Sequence, residues 1–291
     1  MLSRIKGLLN YCYKDNAEDK LPDIKLQLFL IAVKCLMPSE NEIGCYFDSD
    51  RYKKEIELFK FYKNGHDESL EHYFINHKAS EIYDDLLEYK IMPIITANTE
   101  WDILLNEALK ASLFYSVNKN TILNTILISS IISEYLNSNT ENTYEITRER
   151  FINFSLKNFL NDNNIQIDKN SLIEFEKERI KMLSKSELFT DKFKNEFNSL
   201  HYIYNEVKHE ILIEGSYETG IDTFSLYLFK LRKGMINPEK LKISMDNMPN
   251  IKEFLKYATF NHPLLGRCKV LKRGEKEVIL KNKSGLIRVN I

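Results

Sequence analysis

Residues 121–136 read Thr-Ile-Leu-Asn-Thr-Ile-Leu-Ile-Ser-Ser-Ile-Ile-Ser-Glu-Tyr-Leu. Isoleucine and leucine recur around almost the whole helical circumference, interrupted by Asn124, Ser129, Ser130, Ser133 and Glu134. A helix that is apolar on nearly every side has to be covered on most of its faces. It falls short of the roughly 20 nearly uncharged residues that span a bilayer. The stretch therefore predicts the central helix of a multi-helix bundle. Ile24 to Met37, broken by Lys25, Gln27 and Lys34, is the second apolar segment and likewise falls short of a membrane span.

Outward from that segment, nearly everything up to about Tyr257 follows a helical period. Trp101, Leu104, Leu105, Ala108 and Leu109 share one side of a helix whose other side carries Asp102, Asn106, Glu107 and Lys110. Thr99 with Asp102 and Ser171 with Glu174 have the spacing of capping boxes. Asp222 is expected to cap a helix that carries Phe224, Tyr227, Leu228 and Leu231 and stops at Gly234. Phe189, Phe193, Phe197, Leu200, Tyr204, Val207 and Ile211 form a stripe that predicts one long helix ending near Gly215. Trp101, Leu105, Ile126, Leu127, Phe193, Leu200 and Tyr204 are expected in the core. Loops are expected at residues 15–22, 38–50, 137–144, 161–170 and 245–250, with no internal repeat and no low-complexity linker.

The pattern changes at Asn261-His262-Pro263. Leu265 to Lys272, Glu277 to Lys281 and Leu286 to Ile291 are β-rich runs separated by Arg273-Gly274-Glu275 and Asn282-Lys283-Ser284-Gly285, which are hairpin signals. The expected fold is mainly α: a bundle-like helical domain over residues 1–260 and a small antiparallel β meander over 261–291, SH3-like or part of a small barrel. Val270, Ile279 and Ile287 are the expected apolar face of the meander, because a sheet this small needs a surface to pack on.

Composition agrees with one sizeable core. The 291 residues carry 41 basic and 42 acidic side chains and are 43% hydrophobic, while nine Gly, six Pro and four Cys exclude collagen-like and disulfide-scaffold classes. Cys12, Cys35, Cys45 and Cys268 form no CxxC pair, so they are read as reduced core residues and no metal site is expected. No long apolar run precedes a small-residue cleavage site near the N-terminus, so the chain is expected to be cytoplasmic. Charge is unevenly spread. Pro263–Ile291 has a net charge of +6, leaving −7 for the remainder of a chain whose total is −1.

Asp84-Asp85-Leu86-Leu87-Glu88 has the form DDxxE. It resembles the aspartate-rich motif of class I isoprenoid synthases, which implies an all-helical enzyme binding magnesium diphosphate through these carboxylates. That family needs a second motif; Asn198 with Glu206, or Asn205, comes nearest, without the hydroxyl the family places between. If the segment is helical, Ile82, Tyr83, Leu86 and Leu87 form its apolar stripe, and Glu81, Asp84, Asp85 and Glu88 form a solvated acidic face opposite. On that phase, Asp84→Ala with Asp85→Ala should leave folding intact. Glu206 and His209 have the ExxH spacing of helical di-iron proteins, but the second half of such a ligand set is missing. Gly220-Ile221-Asp222-Thr223 resembles the C-terminal metal motif of ADP-ribosylglycohydrolases. That family's upstream Asp-Asp-Thr has no match here, so the stretch is read as a loop with a helix cap.

The basic tail offers Lys269, Lys272, Arg273, Lys281 and Arg288 as anion or nucleic-acid contacts, with no aromatic residue after Pro263 to stack on bases. The preferred reading docks this +6 sheet on the −7 body, near Glu81 to Glu88. The sequence thus predicts a non-enzymatic interaction or regulatory protein with a protein partner, no membrane and no cofactor. A nucleic acid is the second partner class the tail allows. The alternative is a magnesium-dependent enzyme acting on a phosphorylated or diphosphate substrate through Asp84, Asp85 and Glu88.

Overall fold

The computed structural model describes residues 1–13, 21–40, 42–184, 196–209, 220–236 and 250–291. Lys119–Leu136 (α7) takes the central position its composition demands. The side chain of Asn118 accepts from the backbone N–H groups of Asn120 and Thr121, which starts the helix. Ile126, Leu127, Ile128 and Ile132 are fully enclosed, each contributing about 1.5–3 kcal/mol of burial. Among its polar residues, Thr125 donates to the carbonyl of Thr121 and Ser130 shares a hydrogen bond with Thr147, while the buried hydroxyls of Ser129 and Ser133 have no hydrogen-bond partner among the described residues.

Around α7 lie Leu87–Ala97 (α5), Trp101–Ser112 (α6), Thr143–Asn153 (α8), Lys169–Ser184 (α10) and Asn198–His209 (α11). Leu2–Cys12 (α1), Ile24–Lys34 (α2) and Gly220–Arg232 (α12) complete the interior packing against α5 and α11. Ser49–Phe59 (α3), Glu68–Asn76 (α4), Leu156–Asp162 (α9) and the single turn Ile251–Phe254 (α13) lie outside these. The second enclosed helix is α5, buried at every position. Pro93 removes the amide that would bond the Tyr89 carbonyl, and the Tyr13 hydroxyl donates to that carbonyl instead, at 3.5 Å. Among the described residues no helix is long and apolar enough to cross a membrane, and all four cysteines are buried and free.

Several sequence expectations shift. The expected loop at 38–50 contains part of a hairpin, Leu36–Pro38 (β1) with Cys45–Phe47 (β2). Distant side chains hold it: the Cys45 amide donates to Asn98 at 2.7 Å and the Phe47 amide to Glu107 at 2.6 Å. Such three-residue strands carry too little period to be read. Helix α6 starts at Trp101 with Glu100 as N-cap and no side-chain cap bond, so Thr99 and Asp102 form no capping box. Helix α10 begins before Ser171, which instead donates to Glu81. Asp222 sits inside the first turn of α12 and faces Asn10 and Lys6.

The long aromatic stripe also breaks. Phe197 is non-helical and α11 begins at Asn198; Phe189, Phe193 and Ile211 lie outside the described residues. Phe197, Leu200, Tyr202 and Ile203 are buried, while Tyr204 is half-buried and Val207 exposed. Trp101 is half-buried as well, with the Arg150 guanidinium 3.9 Å above its ring.

The C-terminal sheet has four strands in the order Thr259–His262 (β3), Gly266–Arg273 (β4), Glu277–Asn282 (β5), Gly285–Asn290 (β6), all antiparallel. One strand more than expected forms because the chain pairs from Thr259, ahead of the expected boundary. The buried face is Phe260, Cys268, Val278, Leu280, Ile287 and Val289. Val270 is only half-buried at a register shift in β4, and Ile279 lies on the other face opposite Lys272 and Arg288. The sheet docks beside α2. Leu265, Leu286 and Ile287 share a small cleft of about 30 Å³ with Leu30, Ile31 and Tyr62. The Asn290 amide donates to the Phe61 carbonyl at 2.7 Å. Among the described residues no acidic side chain, and none of residues 81–88, lines this cleft, so the expected charge-driven docking is not what forms there.

Candidate functional site

The DDxxE segment is not one helix. Ser80 makes a parallel bridge with Ser116, residues 83–86 run as extended chain and turn, and α5 begins only at Leu87. A helical phase therefore does not apply to Asp84 and Asp85. Asp84 is fully enclosed, Asp85 is exposed, and Glu88 lies on the all-buried α5.

Asp84 belongs to a buried ion cluster. Its amide donates to Thr121 at 3.1 Å and its Oδ1 accepts from the Leu86 amide at 3.1 Å. Lys90 Nζ, on α5, lies 2.7 Å from Asp84 Oδ1 and 2.7 Å from Asp67 Oδ2. The same ammonium sits 4.2 Å from the centre of the Tyr115 ring. Asp67 also caps α4, accepting from the Leu70 amide and the Ser69 hydroxyl. Burial raises the Asp84 carboxyl to about 6, opposed by Lys90 and reinforced by Asp67. Burial acts the same way on Asp67, but Lys90 and its hydrogen bonds bring it below the usual range. Lys90 is raised, because the two carboxylates outweigh its own desolvation.

This sets a pH prediction. With its folded pKa above the ordinary value, Asp84 takes up a proton in the folded state between about pH 6 and 4. Its contribution to stability therefore grows as pH falls through about 6 and is absent above it. The melting-temperature advantage of the native chain over Asp84→Asn should widen from pH 7 to pH 5, by the equivalent of about 1 kcal/mol. Thermal melts of both chains at the two pH values measure it, and a constant gap would contradict it.

Glu88 points elsewhere. It accepts from the amides of Asn198 at 3.2 Å and Ser199 at 3.1 Å, and from the Ser199 hydroxyl at 2.9 Å. It thus serves the free N–H groups at the start of α11, where a carboxylate also meets the positive end of the helix dipole. Burial raises its pKa while these donors pull it back. Asn198, expected as a second metal-binding residue, reaches Glu88 only through its backbone, and its side chain donates to the Tyr89 hydroxyl. Glu206 accepts from the Tyr135 hydroxyl. The side chain of His209 lies outside the described residues. The three motif carboxylates therefore diverge toward Lys90, toward α11 and toward water. Among the described residues no group of three or more His, Cys, Asp or Glu side chains could hold a metal ion.

The basic residues of the tail do converge. Pairing of Asn261 with Arg267, Lys269 with Lys281, Lys272 with Ile279, and Ile279 with Arg288 puts Arg267, Lys269, Lys272, Lys281 and Arg288 on one sheet face. All five are exposed. Glu277 is the one acid on this face and lies 3.3 Å from Arg288. Arg273 is the exception among the expected contacts. Beyond the register shift it lies with Val278 on the opposite face, and its guanidinium holds the carbonyls of Leu255 and Tyr257.

Sequence reasoning missed Lys90, Asp67 and Arg267. A signal for Lys90 was present: apart from Glu88 it is the one charged residue in Leu87–Ala97, a segment otherwise apolar enough to be buried. The fold and this surface define a mainly α protein that mounts a cationic antiparallel sheet at its C-terminal end. No protein-family model matches the chain, and neither a curated protein nor a solved structure gives a significant match.

Proposed function

We propose that this chain is an intracellular, non-enzymatic interaction protein that works through the outward face of its C-terminal sheet. The helical body is the mount that holds the sheet rigidly. The observation that carries this reading is the division of labour between the two sheet faces. Cys268, Val278, Leu280, Ile287 and Val289 are buried, while Arg267, Lys269, Lys272, Lys281 and Arg288 are exposed to water. Charge so arranged gives nothing to the core and can steer a partner of opposite sign.

The divergence of Asp84, Asp85 and Glu88 weighs against the magnesium alternative, since phosphoryl chemistry needs carboxylates aimed at a shared ion. The test is calorimetric titration of magnesium, with and without inorganic pyrophosphate, into the native chain. No saturable uptake is expected. Saturable uptake that disappears in the exposed-site variant Asp85→Asn would replace this reading with the enzyme.

A further inference from the structure

We infer that the outward face of the β3–β6 sheet is a docking surface for double-stranded nucleic acid, gripped through its phosphates without regard to sequence. This inference rests on the reading of the chain as a binding protein and names its partner.

The first argument is charge placement. Lys269 and Lys281 stand directly opposite each other on neighbouring strands, where Cβ atoms are about 5 Å apart and like charges repel. No ion pair relieves either one among the described residues, and Glu277 is engaged by Arg288. A sheet shaped by stability alone would place an acid opposite a lysine here. Arg267 and Lys272 extend the same unrelieved row along β4, so the face carries cations two residues apart along a strand and on adjacent strands. A closely spaced polyanion removes this repulsion on contact. Duplex nucleic acid, with one phosphate charge per about 1.7 Å of axis, has that density.

The second argument is what the face lacks. No outward-facing residue of β3–β6 is aromatic, since Phe260 of β3 is on the buried face, so the sheet has no platform for unstacked bases and is unsuited to reading a single strand. Ile279 and Leu286 are half-buried between the long basic side chains, whose stems cover them. Apart from Leu271, exposed at the register shift in β4, the face therefore presents ammonium and guanidinium groups rather than a row of apolar anchors for a lipid surface. Arg267 and Arg288 supply planar forks for phosphate oxygens, and the lysines supply point charges.

The third argument is that the sheet is held from behind. Its apolar face is seated beside α2 and β6 is tied to the Phe61 carbonyl. Arg273 ties β4 to the carbonyls of Leu255 and Tyr257. The cations are thus offered on a rigid platform rather than a loose tail, which lowers the ordering cost of binding.

The experiment uses the full chain and short labelled duplexes of mixed sequence, as DNA and as RNA, followed by fluorescence anisotropy. Matching single strands and vesicles rich in phosphatidylserine run alongside. Both duplex forms are expected to bind regardless of sequence, with affinity falling roughly 10²–10³-fold between 50 and 200 mM salt for about five neutralised phosphates. Lys269→Gln with Lys281→Gln should weaken binding roughly 100-fold at low salt and flatten the salt slope by about two. The melting temperature of that variant should be unchanged or raised, since the repulsion is gone. Arg148→Glu with Lys157→Glu, exposed positions on α8 and α9, should change binding little. Absent duplex binding, binding to vesicles alone, preference for single strands, or equal losses in the two double variants would each overturn the inference. Such a failure leaves the binding-protein reading standing. That reading falls instead on magnesium-dependent uptake or turnover that Lys269→Gln with Lys281→Gln leaves intact.

Discussion

Lys90→Met is expected to destabilise the protein by about 3–5 kcal/mol at pH 7, the usual cost of removing one partner from a buried ionic cluster. Methionine nearly matches the length of the lysine stem, so the change leaves little cavity and the loss is electrostatic. Asp67 and Asp84, both buried, would remain without the ammonium that lies 2.7 Å from each. Two carboxylates in one enclosed site cannot both stay ionised, so one must take up a proton. The defect should therefore shrink on acidification, because the proton uptake that folding of the variant requires costs less as pH falls. Lys90→Met combined with Asp67→Asn and Asp84→Asn should recover much of the loss, as neutral replacements of whole buried clusters often do. Urea unfolding at pH 7 and pH 5 measures all of this. A loss below about 1 kcal/mol at pH 7 would be that of an exposed pair and would contradict the enclosure of the cluster. The same geometry reverses the sequence expectation for Asp84→Ala: it strips Lys90 of one carboxylate and the Leu86 amide of its acceptor, so it should destabilise, while Asp85→Ala alone should not.

Deleting residues 259–291 should have a larger effect still. The sheet contributes Phe260, Leu264, Leu265, Cys268, Val278, Leu280, Ile287 and Val289 to the continuous core of the protein. Leu280→Ala alone should cost about 2–5 kcal/mol, the range for a fully buried leucine. Losing the whole face removes several such contributions from a total stability of about 5–15 kcal/mol, and it uncovers Leu30, Ile31 and Tyr62. The truncated chain is expected to aggregate or to bind a hydrophobic dye, with no cooperative melt near that of the full chain. The control is Lys269→Gln with Lys281→Gln, which alters only the outward face and should melt normally. A truncated chain with an unchanged melt would make the sheet an independent arm.

Local pattern determined a good part of this architecture. The central place of α7 was legible because a helix with isoleucine and leucine on every side has no stable position except inside. The C-terminal meander was legible because Gly274 and Gly285, set between β-branched runs, specify turns whatever lies nearby. The basic character of that segment was equally plain. What each charged group faces was not, because that depends on partners remote in sequence. The Ser80 bridge to Ser116 keeps residues 83–86 out of α5, and so Asp84 turns inward to Lys90 instead of outward to water. Glu88 enters the core because the N–H groups of Asn198 and Ser199, more than a hundred residues away, need an acceptor there. The β1–β2 hairpin exists because Asn98 and Glu107 accept its amides. Which face of the meander meets the body was settled in the same way. Alternation along the strands allows either face to be inside, and the apolar surface beside α2 selects the one that leaves the lysines and arginines in water.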